Sequence, residues 1–411
     1  MVRQVVPHHE QPSRAPRLHA RFGRHDTRGR LEVSLERVLA WVHRNCYRGY
    51  EPADGNLSFL FPLTGGKAFP MRVLQQIVLR APFNIRPLLG VKPHESAIAR
   101  GYIAWGCLDL WRRTASTVFR DEANACLDWL IENRAQAHTE FCWGDPYEYA
   151  TRGGRRRYGE PLLIWTAFIG QAFLDAFELL RDQRCLDVAE SIGRWIMALP
   201  VERTSTGVCL SYVPYTQSSI HNANAVGAAF LARLGSLTGN DEALTLAPAA
   251  MLYTCARQRA DGSWFYAEHP KYNWVDNFHT GYNLLALKVY RTASNDPAFD
   301  VNRSRGLQYF KANFLEADGR PKYFHDRTYP VDVQCAAQSI ETLASFEDED
   351  PECMDLALEV ADWTIENLQA ADGHFCYRHL GWIRISTPML HWGQATMVKA
   401  LATALAKVDR T

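Results

Sequence analysis

A small motif recurs along the chain and limits what it can fold into. A glycine is followed by a short strand-like run ending in aromatics, then a polar loop, then an apolar helix. It reads DGNLSFLF at Asp54, CWGDPYEY at Cys142, TGVCLSY at Thr206, DGSWFY at Asp261, DGRPKYF at Asp318 and DGHFCY at Asp372. Gly207 to Gly262 is 55 residues, Gly262 to Gly319 is 57 and Gly319 to Gly373 is 54. A period near 55 suits two helices joined by one short and one long connection.

Each unit parses the same way. An apolar, small-residue-rich helix is expected at 96–114, 162–181, 221–236, 277–292, 332–346 and 389–407. A two-faced helix is expected at 119–134, 184–198, 241–259, 298–315 and 351–369. That gives six inner helices and five outer ones. Residues 31–47, just before the first glycine motif, supply the sixth and should close the ring beside the last inner helix. The expectation is one all-α domain over 31–411, an (α/α)6 toroid. Residues 56–95 carry five prolines and break the period, so they read as a rim insertion with a short helix near 71–80. Residues 1–30 read as a basic, poorly ordered tail.

Composition narrows the function classes. Formal net charge is +0, which gives no general reason to bind nucleic acid or an anionic membrane. No apolar run approaches the ~20 residues of a membrane span. The ten cysteines form no C-x-x-C pair, so buried thiols in a reducing, cytoplasmic setting are expected rather than disulfides or zinc. No H-E-x-x-H, G-x-G-x-x-G, phosphate loop or G-x-S-x-G occurs, so neither a metal nor a cofactor is expected.

The parse also says where chemistry can sit. All six long loops lie on one face, and every inner helix opens there into one funnel. The densest start is NWVDNFHTGY, Asn273 to Tyr282. Acid–base chemistry is expected from Asp276 with His279, opposed by Asp145, His221 or Asp332. Asn222, Asn224, Asn277, Tyr282, Gln338, His391 and Gln394 are candidate polar contacts, with Arg152 and Tyr329 in the loops. Trp143, Trp264 and Trp392 are candidate stacking surfaces. Aromatic faces beside amides, carboxylates and arginine suit sugars. The simpler reading of Asp276, Asn222 or Asp332 taken singly is an N-cap, and the loop tryptophans could equally be rim packing. The weight rests on six starts converging.

Several phrases together resemble a known group. YRGYEPADGNLS, NIRPLLGV, FCWGDPYEYATR, HNANAVGAAFLARL, WVDNFHTGY, YPVDVQCAAQSI and MLHWGQATM resemble bacterial proteins of the VpsJ type, found with exopolysaccharide and surface-glycan biosynthesis. The resemblance spans about residues 40 to 405. It implies the six-hairpin glycosidase superfamily, whose members include glycosidases, unsaturated-glucuronyl hydrolases, sugar epimerases and lyases. It therefore implies a saccharide or glycan-precursor partner and a glycoside hydrolase-like activity. A sugar epimerase or uronate lyase, a non-catalytic glycan-binding assembly protein and a terpenoid-cyclase-like enzyme are the alternatives. The acid-rich D-x-D-D segment of one cyclase class is absent. The chain departs from the group's phrases at GGKAFP, from Gly65, and at GGRRRYGE, from Gly153, both expected on the rim.

Overall fold

The computed structural model describes residues 24–408, so residues 1–23 of the tail expected at 1–30 lie outside the described residues, and residues 24–30 are helical rather than part of a tail. Helix α1 (Arg24–Arg44) is followed by α2 (Ala68–Arg80), α3 (Ala97–Thr114), α4 (Thr117–Glu132), α5 (Leu163–Leu180), α6 (Gln183–Met197) and α7 (His221–Thr238). Then come α8 (Asp241–Cys255), α9 (Asn277–Ser294), α10 (Asp300–Asn313), α11 (Val333–Ser345), α12 (Glu352–Leu368) and α13 (Thr396–Val408). Helices α3, α5, α7, α9, α11 and α13 pack each on the next, and α13 packs back on α3. Outside them stand α1, α4, α6, α8, α10 and α12. This is the (α/α)6 toroid.

Physical differences separate the two rings. The inner helices are buried nearly all round, and small residues allow close approach: a Cβ on Gly106 of α3 would sit 3.1 Å from the Lys399 backbone of α13. Outer helices bury one stripe, as in α6, where Val188, Ile192, Trp195 and Ile196 face inward. Helix α5 is 18 residues long and apolar enough for a membrane span by length and composition, which corrects the expectation that no run comes near one. It is an inner helix of the ring, packed between α3 and α7.

The repeated glycines mark where each loop crosses an outer helix. Gly262 has φ +94°, and an added Cβ would lie 2.5 Å from the Arg305 carbonyl of α10. Gly373, with φ +102°, meets the Arg37 carbonyl of α1 at 2.4 Å in the same way. Only glycine combines this conformation with this contact. Gly373 therefore docks on α1 as Gly262 docks on α10, and α1 fills the sixth outer position.

Four details differ from the sequence reading. Helix α1 starts at Arg24, not near 31, and Arg30 pairs with Asp362 (3.2 Å) and Glu366 (2.8 Å) of α12. The Asp54 motif forms a 3₁₀ turn, Asp54–Leu57, rather than a strand, and its buried Asp54 binds Arg86 at 2.7 Å. The last inner helix opens as a π-helix over Leu390–Ala395. Asn222 is not an N-cap: α7 begins one residue earlier, and the His221 N–H is satisfied by the Tyr266 carbonyl (3.2 Å) from the adjoining loop.

Candidate functional site

The long loops and the inner-helix starts enclose a cavity of about 910 Å³. Glu51, Asp145, Arg152, Trp165, Tyr266, Trp274, His279, His391 and Trp392 are among its walls. A deeper pocket of about 160 Å³ shares Trp165, Tyr266, His279, His391 and Trp392 and adds Asn222, Tyr282 and Tyr102. A side groove of about 700 Å³ runs past Arg152, Trp274, Asp276, His279 and Tyr323. His279 touches all three spaces.

His279 is fixed from behind. Asp276 caps α9, its Oδ1 accepting the His279 N–H at 3.0 Å. Its Oδ2 lies 2.7 Å from His279 Nδ1 and accepts Trp274 Nε1–H at 2.8 Å. Both oxygens are engaged and the residue is buried. With Nδ1 held, Nε2 is the nitrogen left to act. Tyr266 and Phe278 pack on the ring at 4.4 and 4.0 Å between centroids.

His391 has a parallel arrangement with a different origin. It belongs to the π-helical turn, a local widening that often marks functional positions. Its backbone N–H donates to Glu51 Oε1 (2.8 Å), and Glu51 Oε2 lies 3.4 Å from its Nδ1. Glu51 is brought here by ring closure: Tyr50 pairs with Met389 across the seam. The imidazole stacks on Tyr102 and meets Trp165 edge-on. Two histidines, each backed by its own buried carboxylate, thus reach the same deep pocket.

Asp145 faces the same cavity and is buried. Burial first, and then the Glu51 charge, push its carboxyl well above the usual range, against the opposing pull of the Tyr147 and Tyr149 hydroxyls. A carboxyl raised in this way is better suited to donate a proton than an ordinary aspartate.

The remaining candidates divide by whether their polar atoms are already used. Arg152 lines the cavity, donating to the Lys271 carbonyl (2.7 Å) and lying over the Trp274 ring. Asn222 lines the deep pocket, and its buried Oδ1 has no hydrogen-bond partner. His221 stands behind the wall: its Nε2 is 2.7 Å from Glu268 Oε1, and it is Glu268 that faces the cavity. The His221 hydrogen bond holds the Glu268 carboxyl below its ordinary range. Asp332 also stands behind, capping α11, pairing with Arg378 (2.5 Å) and accepting Trp392 Nε1–H (2.8 Å). It positions the Trp392 that lines the cavity.

Seven predicted contacts do not line these spaces, for identifiable reasons. Trp143 and Trp264 turn inward and donate their indole N–H to the last turns of α4 and α8, at Leu130 and Thr254. Asn224 binds Leu210 N and the Ala250 carbonyl, and Gln394 binds both backbone groups of Phe375, so each ties a glycine loop to an inner helix. Asn277 bonds Ser339 between α9 and α11, and Gln338 bonds Thr342 within α11. Tyr329 stacks on His379 at the rim. Among the described residues no group of three or more His, Cys, Asp or Glu gathers as a metal cluster. All ten cysteines are unpaired, and nine of them are buried.

Sequence reasoning missed Glu51, Tyr147, Tyr149, Tyr212, Glu202, Arg257 and Glu268. Tyr212 had a signal, since it ends its glycine motif as Tyr266 does. Glu51 lies three residues before Asp54, and only the ring seam puts it beside His391.

No protein-family model and no curated protein matches this chain. Solved structures do. The cellobiose 2-epimerase of Spirochaeta thermophila superposes with a TM-score of 0.60 at 12% identity, covering 77% of this chain and 86% of its own. The cellobiose 2-epimerase of Bacillus thermoamylovorans gives 0.58 at 11%, covering 78% and 90%. The GH76 alpha-mannanase of Bacteroides thetaiotaomicron gives 0.56 at 12%, covering 76% and 85%. The fold shared with these proteins is the (α/α)6 toroid. At these identities the likeness speaks to the fold, and the chemistry rests on this chain's own residues.

Proposed function

We propose that this protein is a carbohydrate-active enzyme that moves protons on a saccharide with two histidines, as a sugar epimerase or isomerase. One observation carries the reading: His279 and His391 line one pocket, and each has a buried carboxylate beside its Nδ1. In the proposed step, Nε2 of one imidazole removes the proton beside the carbonyl of a ring-opened sugar. The other, as imidazolium, returns a proton to the opposite face, so nothing is oxidised and the carbon is inverted. Asn222 Oδ1 suits a sugar hydroxyl, and Trp165, Tyr266 and Trp392 suit its C–H faces. The resemblance to VpsJ-type proteins extends this to a cytoplasmic role in bacterial surface-glycan biosynthesis.

Hydrolysis is the second reading, favoured by Asp145. An acid raised by burial, near a second carboxyl, Glu51, is the kind of pairing a glycosidase needs. One experiment separates the two. Candidate mono- and oligosaccharides are incubated with the protein in D2O and followed by NMR. Deuterium entering beside the carbonyl, abolished by His279→Asn or by His391→Asn, is the expected result. New reducing ends without exchange would replace the first reading by the second. Saturable binding with neither would leave a glycan-binding protein.

A further inference from the structure

The surface beside the cavity mouth has a composition that the ring does not need. Helix α2 buries Met71, Leu74 and Val78 against the fold, yet its outer face carries Phe69, Val73 and Ile77 at four-residue intervals. Phe59, Leu63 and Leu88 stand nearby, where the Phe59 N–H reaches the Leu89 carbonyl and the 3₁₀ turn Phe61–Thr64 packs on α2. Exposure of these six side chains runs from 43% for Val73 to 83% for Leu63. Elsewhere exposed apolar side chains are scattered, as on an ordinary surface.

Charge says what this face meets. No acidic residue occurs between Asp54 and Glu95. Lys67, Arg72, Arg80 and Lys92 fall in that span, and among the described residues none of them has an ion-pair partner, while Arg86 is spent on buried Asp54. Arg72, Gln76 and Arg80 run beside the apolar stripe along α2. The basic GGRRRYGE loop joins the same surface, Arg155 donating to the Gly66 carbonyl at 3.3 Å. The two places where the sequence leaves its group's phrases are therefore neighbours.

We propose that this face is a docking surface for an anionic lipid bilayer. An exposed apolar stripe on a helix whose own charged side chains are all cations is the pattern of a helix lying in a membrane interface. Charge argues against other occupants. A second copy would bring two sets of unpaired cations together. The chain's own N-terminus carries Arg3, Arg14, Arg17 and Arg21, so it has the same sign. Docking would set the cavity mouth beside the bilayer, because Gln75 of α2 accepts the Ala150 N–H (2.8 Å) of the hairpin whose Tyr149 and Arg152 line the cavity.

The test is vesicle co-sedimentation of the full chain. Vesicles of phosphatidylcholine mixed with phosphatidylglycerol should bind it, and phosphatidylcholine alone should not. Added salt should weaken binding. Lys67→Glu with Arg72→Glu should weaken it by roughly fivefold or more per cation removed. Phe69→Ser, Val73→Ser and Ile77→Ser together should abolish it with melting unchanged; Phe69→Ser alone serves if the triple variant does not fold. Absence of binding to the mixed vesicles overturns the proposal. So does binding that these substitutions leave intact, which would assign it to another basic segment. Self-association of the full chain that the serine variant abolishes, without vesicle binding, would make the face a contact between copies instead.

Discussion

His279 Nδ1 lies 2.7 Å from Asp276 Oδ2, while the other oxygen of that carboxylate caps the helix on which His279 sits. One side chain thus starts α9 and orients its imidazole. Asp276→Asn separates the two tasks. Asparagine caps about as well as aspartate, but its amide offers one acceptor where two are in use. The proton then moves from Nδ1 to Nε2, the nitrogen that must accept. Melting should change by no more than about 1 kcal/mol, and turnover should fall roughly 10²- to 10⁴-fold. Unchanged turnover would leave Asp276 as a cap alone.

Asp332 looks similar in sequence and should behave differently. It too caps an inner helix, but its second oxygen, itself buried, pairs with half-buried Arg378. Asp332→Asn leaves that guanidinium without its anion and loosens the Trp392 indole. A loss of roughly 3 kcal/mol in denaturant unfolding is expected, as when one partner of a buried pair is removed. Asp276→Asn and Asp332→Asn measured side by side should therefore split, one losing activity and the other stability.

Asp145 gives a pH signature. Burial raises its carboxyl well above the ordinary value. A raised acid contributes stability that is complete below its unfolded value and is lost as pH rises through its folded value. Asp145→Asn cannot ionise, so it should escape that loss. Its melting temperature should exceed that of the wild type on the alkaline side, with the gap closing towards about pH 4. Parallel curves would mean that Asp145 is ionised in the fold. Activity should fall in the variant at every pH if its proton is used.

The ring was legible because burial and spacing leave a periodic trace. Small-residue helices alternate with striped ones, and glycines such as Gly262 and Gly373 recur where a loop must cross an outer helix. The site was half legible. His279 and His391 stand at inner-helix starts, and helix direction alone brings them together. Asn222, His221 and Asp276 share that position, yet depth along the first turn decides whether a side chain lines the pocket or supports one that does. Trp143 and Trp264 were attractive stacking groups, but an indole N–H close to free helix-end carbonyls turns inward to meet them. Glu51 and Glu268 have no local signal, because their partners come from other units.

Ring closure rests on a glycine. Gly373 sits 2.4 Å, Cβ to oxygen, from the Arg37 carbonyl, at φ +102°. Gly373→Ala must move α1 or twist the loop, and a loss of roughly 2 kcal/mol or more is expected in thermal or denaturant unfolding. Deleting residues 1–50 should unfold the whole ring. A truncated chain that still melts cooperatively would show that α1 is dispensable.

The last prediction lies deeper, among the inner helices. Lys399 Nζ is 2.6 Å from Asp109 Oδ2 and 3.8 Å from Glu341 Oε1, so Asp109 takes the closer contact. Burial lifts the Glu341 carboxyl from 4.5 to about 6, with Lys399 pulling it down and Asp109 pushing it up. As for any raised acid, the stability from this group is whole below about 4.5 and is lost as pH rises through about 6. The rise corresponds to roughly 2 kcal/mol lost at neutral pH and above. Glu341→Gln keeps the volume and cannot charge. Wild type and variant should unfold alike in denaturant near pH 4.5, and the variant should be the more stable by roughly 1–2 kcal/mol near pH 8. If the Glu341 anion instead holds Lys399 in place, the order at the higher pH reverses: the variant leaves a buried ammonium with one carboxylate and is the weaker of the two.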